Sequence, residues 1–134
     1  MISVDTNVLV RLLTGDDPRQ AAAAARSLFA RESIWIAKTV LLETGWVLRS
    51  LYGFEEDAIR DSFTKLLGLE NVRMEDEASV AVALALTAHG IDFADATHVG
   101  SRRPGTTFVS FDKSFLRRAK RAGVPDVSSL SGRL

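Results

Sequence analysis

Ile2-Ser3-Val4-Asp5-Thr6-Asn7-Val8-Leu9-Val10 opens on an apolar run that stops at three polar residues and resumes at once. Ile2-Ser3-Val4 suits a short buried strand, and the polar trio cuts it off. Val8, Leu9, Leu12 and Leu13 then recur at helical spacing up to Gly15. A strand running straight into a helix is the opening of a β-α-β unit, because parallel neighbours need a crossover connection.

The same pattern repeats downstream. Asp17-Pro18 predicts a helix cap followed by proline at the first helical position, and Ala21, Ala25, Leu28 and Phe29 form that helix's apolar stripe. Residues 34–37 predict a second strand. Val40, Thr44, Val47 and Leu51 share one face of a third helix, which stops at Gly53. Glu55-Glu56-Asp57 places negative charge at the next helix start, where the dipole favours it, and Ile59, Phe63, Leu66 and Leu67 form its core stripe. Residues 71–74 predict a third strand. Residues 76–89 are apolar nearly all round, which predicts a buried helix, with Gly90 at its C-terminal stop. Asp92 opens a helix to about Ser101, Pro104-Gly105 turns the chain into a fourth strand over 106–110, and Asp112 opens the last helix. Val127 fits a short fifth strand. Strands alternating with helices predict an α/β fold: three layers, with a short, mostly parallel sheet of four to five strands between helices.

Composition sets the outer limits. A chain of 134 residues, 46% hydrophobic, suits one domain over 1–134 with a single core. There is no cysteine, which removes disulfides and thiolate metal sites and fits a reducing compartment. No apolar run reaches a membrane span, and no basic segment precedes an apolar stretch at the start, so a cytoplasmic domain is expected. The net charge of zero hides an asymmetry. Residues 1–100 hold nine Lys/Arg against fifteen Asp/Glu, and residues 101–134 hold eight against two. Such a division is either ordinary surface decoration or a basic face for a polyanion beside an acidic pocket.

In open parallel sheets, ligands bind beyond the carboxyl ends of the strands. Four acids fall just after strands or early in the following helices: Asp5, Glu43, Asp95 and Asp112. Asp5 and Asp112 each have a plain alternative as helix caps, and Asp92 with Asp95 has the spacing of a capping box. Glu43 lies one turn from Val40 and Val47, at the edge of the expected stripe, where a carboxylate needs a partner. Thr6, Asn7 and Ser110 add short polar groups nearby, able to hold a phosphate or water, or merely to cap. His89 and His98 lack zinc-ligand spacing and suit structural roles. Converging carboxylates repel one another unless a cation neutralises them. An oxygen-only donor set points to a hard ion, Mg2+ or Mn2+, of the kind that activates water against a phosphodiester.

Val4-Asp5-Thr6-Asn7-Val8-Leu9-Val10 with Asp16-Asp17-Pro18, then Glu43, then Asp92-Phe93-Ala94-Asp95-Ala96, then Ser110-Phe111-Asp112 closely resemble, in order, the motifs of PIN domains of the VapC toxin type. The resemblance covers essentially the whole chain. It implies a magnesium-dependent endoribonuclease, the toxin half of a toxin–antitoxin pair, commonly a homodimer whose antitoxin occupies the active-site groove. It assigns metal binding to Asp5, Glu43, Asp95 and Asp112, and accessory polar roles to Thr6 or Asn7 and to Ser110. Thr97 stands where the pattern predicts an apolar residue.

Two other readings compete. One is a PIN scaffold that has lost catalysis and binds RNA or protein, which missing acids would favour; all four are present. The other is a metal-dependent phosphatase, against which stands the lack of an Asp-x-Asp pair after the first strand and of a glycine-rich phosphate loop. For RNA, Lys113, Arg117, Lys120 and Arg121 fall on one stripe of the last helix, apart from the apolar Phe115, Ala119 and Ala122, and Arg102 and Arg103 extend the track.

Overall fold

The computed structural model describes residues 1–15 and 19–131. Among these, the elements run β1 (Ile2–Ser3), α1 (Thr6–Thr14), α2 (Arg19–Arg31), β2 (Ile34–Ile36), α3 (Lys38–Tyr52), α4 (Glu56–Leu67), β3 (Val72–Met74), α5 (Glu77–Thr87), α6 (Phe93–Gly100), β4 (Phe108–Ser110), α7 (Lys113–Arg121) and β5 (Val127–Ser129). The expected cap at Asp17-Pro18 lies outside the described residues.

Every strand pairing is parallel. β2 is central to one ladder, with Ile34 opposite both Ile2 and Val72 and Ile36 opposite Met74. Ile34, Ile36, Val72 and Met74 are buried, as a sheet covered by helices requires. The second ladder pairs β4 with β5, Phe108 opposite Val127. The strands are the expected ones, but among the described residues they form ladders of three and two rather than one continuous sheet. Side chains bridge what hydrogen bonds do not: one apolar cluster runs from Val4, Ile34 and Ile36 to Phe115, Leu116 and Ala119, with Phe108 and Val127 against it.

Two helices sit differently from the sequence expectation. In α3 the buried face is Leu41, Thr44, Gly45 and Leu48, whereas Leu51 is 69% exposed and Val40 and Val47 are half-buried. The helix is turned toward its glycine. A Cβ at Gly45 would lie 3.5 Å from the Phe93 ring, so the bare backbone is where α6 packs. Helix α5 is not buried all round either: Val82 is 51% exposed, with Ala78, Ala81 and Ala85 also facing outward. An all-apolar helix carries no periodicity to reveal its outer face, and exposed alanines sacrifice little apolar burial. On its inner side α5 packs closely along α6, where a Cβ at Gly100 would stand 3.2 Å from the Ser79 carbonyl oxygen.

Candidate active site

Asp5 follows β1 in extended conformation, and its Oδ1 accepts from the Val8 amide at 3.2 Å, capping α1. Asp92 does the same for α6, accepting from the Asp95 amide at 2.8 Å. Asp112 repeats the arrangement for α7, accepting from the Phe115 amide at 3.0 Å while its own amide donates to the Ser110 hydroxyl at 3.0 Å. The capping readings are therefore correct for Asp5, Asp92 and Asp112. They do not exclude a second role. A carboxylate has two oxygens and several lone pairs, so one cap bond fixes its direction and leaves capacity for a ligand.

Asp95 stands apart from the caps. It lies half-buried in the first turn of α6. Burial pushes its carboxyl above the ordinary carboxylate range, and the charges of Asp92 and then Asp112 push it further, with His98 opposing. Asp95, Asp92 and Asp112 thus share one patch of negative potential, built from two helix starts. The like charges raise the proton affinity of the most buried member and favour any cation that displaces the proton.

Glu43 is exposed, not at a half-buried edge. The rotation of α3 toward Gly45 carries it away from the core, so no unpaired burial calls for a partner. Thr6 is half-buried, and Asn7 is exposed at an open groove of about 610 Å³ that α1 and α2 line with Val8, Arg11 and Leu28. Thr97 is buried with its hydroxyl donating to the Phe93 carbonyl at 2.7 Å, so it packs as the apolar residue expected there would. His89 lies just past α5, and both histidines are exposed.

On α7, Lys113, Arg117, Lys120 and Arg121 are all exposed, opposite the buried Phe115, Leu116 and Ala119. Arg103 is exposed as well. Arg102 is not part of that surface. Its guanidinium donates to the Pro125 carbonyl at 2.7 Å and to the Asp126 carbonyl at 2.9 Å, fastening the approach to β5.

Two groups of polar contacts went unforeseen. Glu56 accepts from the Phe93 amide at 2.9 Å and lies 3.5 Å from Arg49, so it ties the start of α6 to α3. Lys38, directly after β2, donates to Asp76 at 3.0 Å and to Ser101 at 3.1 Å, and its amide donates to Glu75 at 2.9 Å. These bonds hold the starts of α3 and α5 to the end of α6. Asp76 occupies a left-handed conformation, φ 55°, and its carboxyl is held below the ordinary range chiefly by hydrogen bonds from Ser79 and Lys38. The signal was present: Lys38 and Glu75-Asp76 follow strands just as Asp5 does.

A divalent ion fits this donor set in kind, since the acids offer only hard oxygen ligands. Among the described residues no three acids or histidines are gathered closely enough to grip an ion unaided. Mg2+ does not require that, because it keeps several waters and takes one or two carboxylates together with substrate phosphate.

Parallel strands feeding helices, with aspartates at the helix starts and Asp95 raised by burial and by its acidic neighbours, define an α/β protein with an acidic patch at its helix starts. The PIN domain family model matches residues 2–121, and the chain belongs to that family. PIN domains are in general nuclease-like and use divalent metals. Neither a curated protein nor a solved structure matches the chain. Among the described residues no helix is long and apolar enough to cross a membrane.

Proposed function

We propose that this PIN domain is a magnesium- or manganese-dependent endoribonuclease, acting in the cytoplasm as the toxin of a toxin–antitoxin pair. The observation that carries the reading is Asp95, half-buried and facing the charges of both Asp92 and Asp112. Asp5, Glu43, Asp95 and Asp112 are the ligands the family pattern implies, and Asp95 and Asp112 stand close enough to share a potential. When bound, the ion supplies an activated water and offsets charge developing on the scissile phosphate. The protein's part is orientation. The caps at Asp5 and Asp112 fix their carboxylates, Asp92 locks the turn that carries Asp95, and Ser110 holds the Asp112 amide. Thr6 and Asn7 offer short donors beside Asp5. Lys113, Arg117, Lys120, Arg121 and Arg103 draw the RNA backbone in. A homodimer and an antitoxin seated over the acids complete the proposal, and a small DNA-binding protein encoded next to this chain is the expected companion.

The test is cleavage of an internally labelled RNA with Mg2+ and with chelator, against a chromogenic phosphate ester. Metal-dependent RNA cleavage that Asp95→Asn abolishes is the expected result. Ester hydrolysis without RNA cleavage would make the protein a phosphatase. That no three acids gather closely among the described residues favours a second reading, a PIN scaffold that binds without cutting. RNA bound but left intact at saturating metal would decide for it.

A further inference from the structure

Phe111 sits between Ser110 and Asp112 and is 67% exposed. The backbone on both sides of it is fixed. Ser110 ends β4, opposite Ser129, and its carbonyl accepts from the Leu130 amide at 3.2 Å. Its hydroxyl takes the Asp112 amide at 3.0 Å, and Asp112 caps α7 at 3.0 Å. Behind the turn, the Phe108 and Phe115 rings lie 5.6 Å apart, anchoring β4 to α7. Alternation along the strand turns Phe108 and Ser110 inward and leaves Val109 and Phe111 facing out. A large aromatic is thus presented to solvent on a clamped turn. The acid that follows it shares the potential at Asp95, and the exposed cations Lys113 and Arg117 begin in the next turn.

We propose that Phe111 is a stacking platform for one unpaired base of the RNA, next to the scissile phosphate; this rests on the ribonuclease reading above. The occupant follows from charge and shape together. The cations one turn on suit a phosphate backbone, and an aromatic face beside them suits the base that backbone carries. Within a duplex both faces of a base are already stacked, so the unpaired bases of single-stranded RNA are the ones that suit the ring. The clamped turn matters, because backbone already ordered before binding loses little freedom on contact.

The experiment measures binding of a fluorescent single-stranded RNA by anisotropy in chelator, where nothing is cut, for the parent, Phe111→Ala, Phe111→Trp and Leu69→Ala. Leu69 is an exposed apolar control from the loop before β3. Alanine at 111 is expected to weaken binding about fivefold or more, the lower end for loss of one base stack. Tryptophan restores it, Leu69→Ala leaves it unchanged, and the salt dependence stays that of the parent because no charge is lost. Duplex RNA binds the parent and Phe111→Ala alike. An RNA lacking one base should bind the parent as weakly as intact RNA binds Phe111→Ala, and that variant should not register the missing base. Unchanged affinity in Phe111→Ala overturns the platform while leaving the nuclease reading intact. A shift to monomer with RNA affinity unchanged would make the ring a self-contact and overturns it equally. A parent that neither binds RNA in chelator nor cuts it with Mg2+ would remove the nuclease reading itself.

Discussion

Asparagine caps a helix about as well as aspartate, which separates the two roles assigned to Asp5 and Asp112. Asp5→Asn and Asp112→Asn keep an Oδ for the amides of Val8 and Phe115 and remove the charge that would hold an ion. Asp5→Asn and Asp95→Asn are expected to abolish RNA cleavage with the fold intact. Asp112→Ala should instead lose about 1 kcal/mol of stability, the usual worth of a cap, which Asp112→Asn should not. Paired melting and cleavage measurements check both statements. Asp95 adds a pH dependence. Its folded pKa is raised, so the folded state binds this proton more tightly than the unfolded state. The charged group therefore opposes folding above that pKa, and the opposition fades as pH falls through it toward the ordinary carboxylate range. At neutral pH, metal-free Asp95→Asn should melt no lower than the parent, and the parent should gain on it as pH falls through that window. Three of the caps were legible because a polar residue between a strand and a helix has few other uses. The exposure of Glu43 was not, because it depends on how far α3 turns to bring Gly45 against Phe93.

Helix α6 carries Asp95, and its packing sets where that carboxyl stands. Gly100→Ala would force a Cβ toward the Ser79 carbonyl at 3.2 Å, so it should separate α6 from α5 and lower the melting temperature. Gly45→Ala meets only ordinary contacts, the nearest at 3.5 Å, and exchanges a poor helix former for a good one. It should be neutral or stabilise by up to about 1 kcal/mol. Thermal unfolding of the two variants side by side checks the contrast. Helix α7 is the element most completely foreseen, since its charges and apolar residues separate at a clear helical period. Arg117→Glu with Arg121→Glu should weaken RNA binding across sequences and flatten its salt dependence by about 0.7 per lost phosphate contact, with turnover of bound RNA much less changed. Unchanged affinity and slope would make the stripe surface decoration. For helix α5 only the outer face was not legible, for the opposite reason: apolar residues nearly all round leave no period from which to read it.

For the molecule as a whole, the order of strands and helices was readable because each strand is a short apolar run bounded by polar or turn residues. The division into two ladders was not, since short apolar runs show where strands lie but not which of them share backbone hydrogen bonds. The opposed charge of the two chain segments is only partly kept in three dimensions, since Asp112 of the basic segment joins Asp92 and Asp95 in one negative potential. The acids that share a potential lie at helix starts, and the cations lie along the outside of α7. The central claim is that Asp5, Glu43, Asp95 and Asp112 hold a divalent ion, and an ion that binds only the folded state stabilises it by linkage, about 2.7 kcal/mol at a hundredfold excess over Kd. The most direct test is the melting temperature of the parent, Glu43→Gln and Asp95→Asn, with and without millimolar Mg2+ or Mn2+. The parent should melt higher with either ion, Glu43→Gln should gain much less, and Asp95→Asn should gain nothing. A parent whose melting temperature ignores both ions would contradict the metal site and the chemistry built on it.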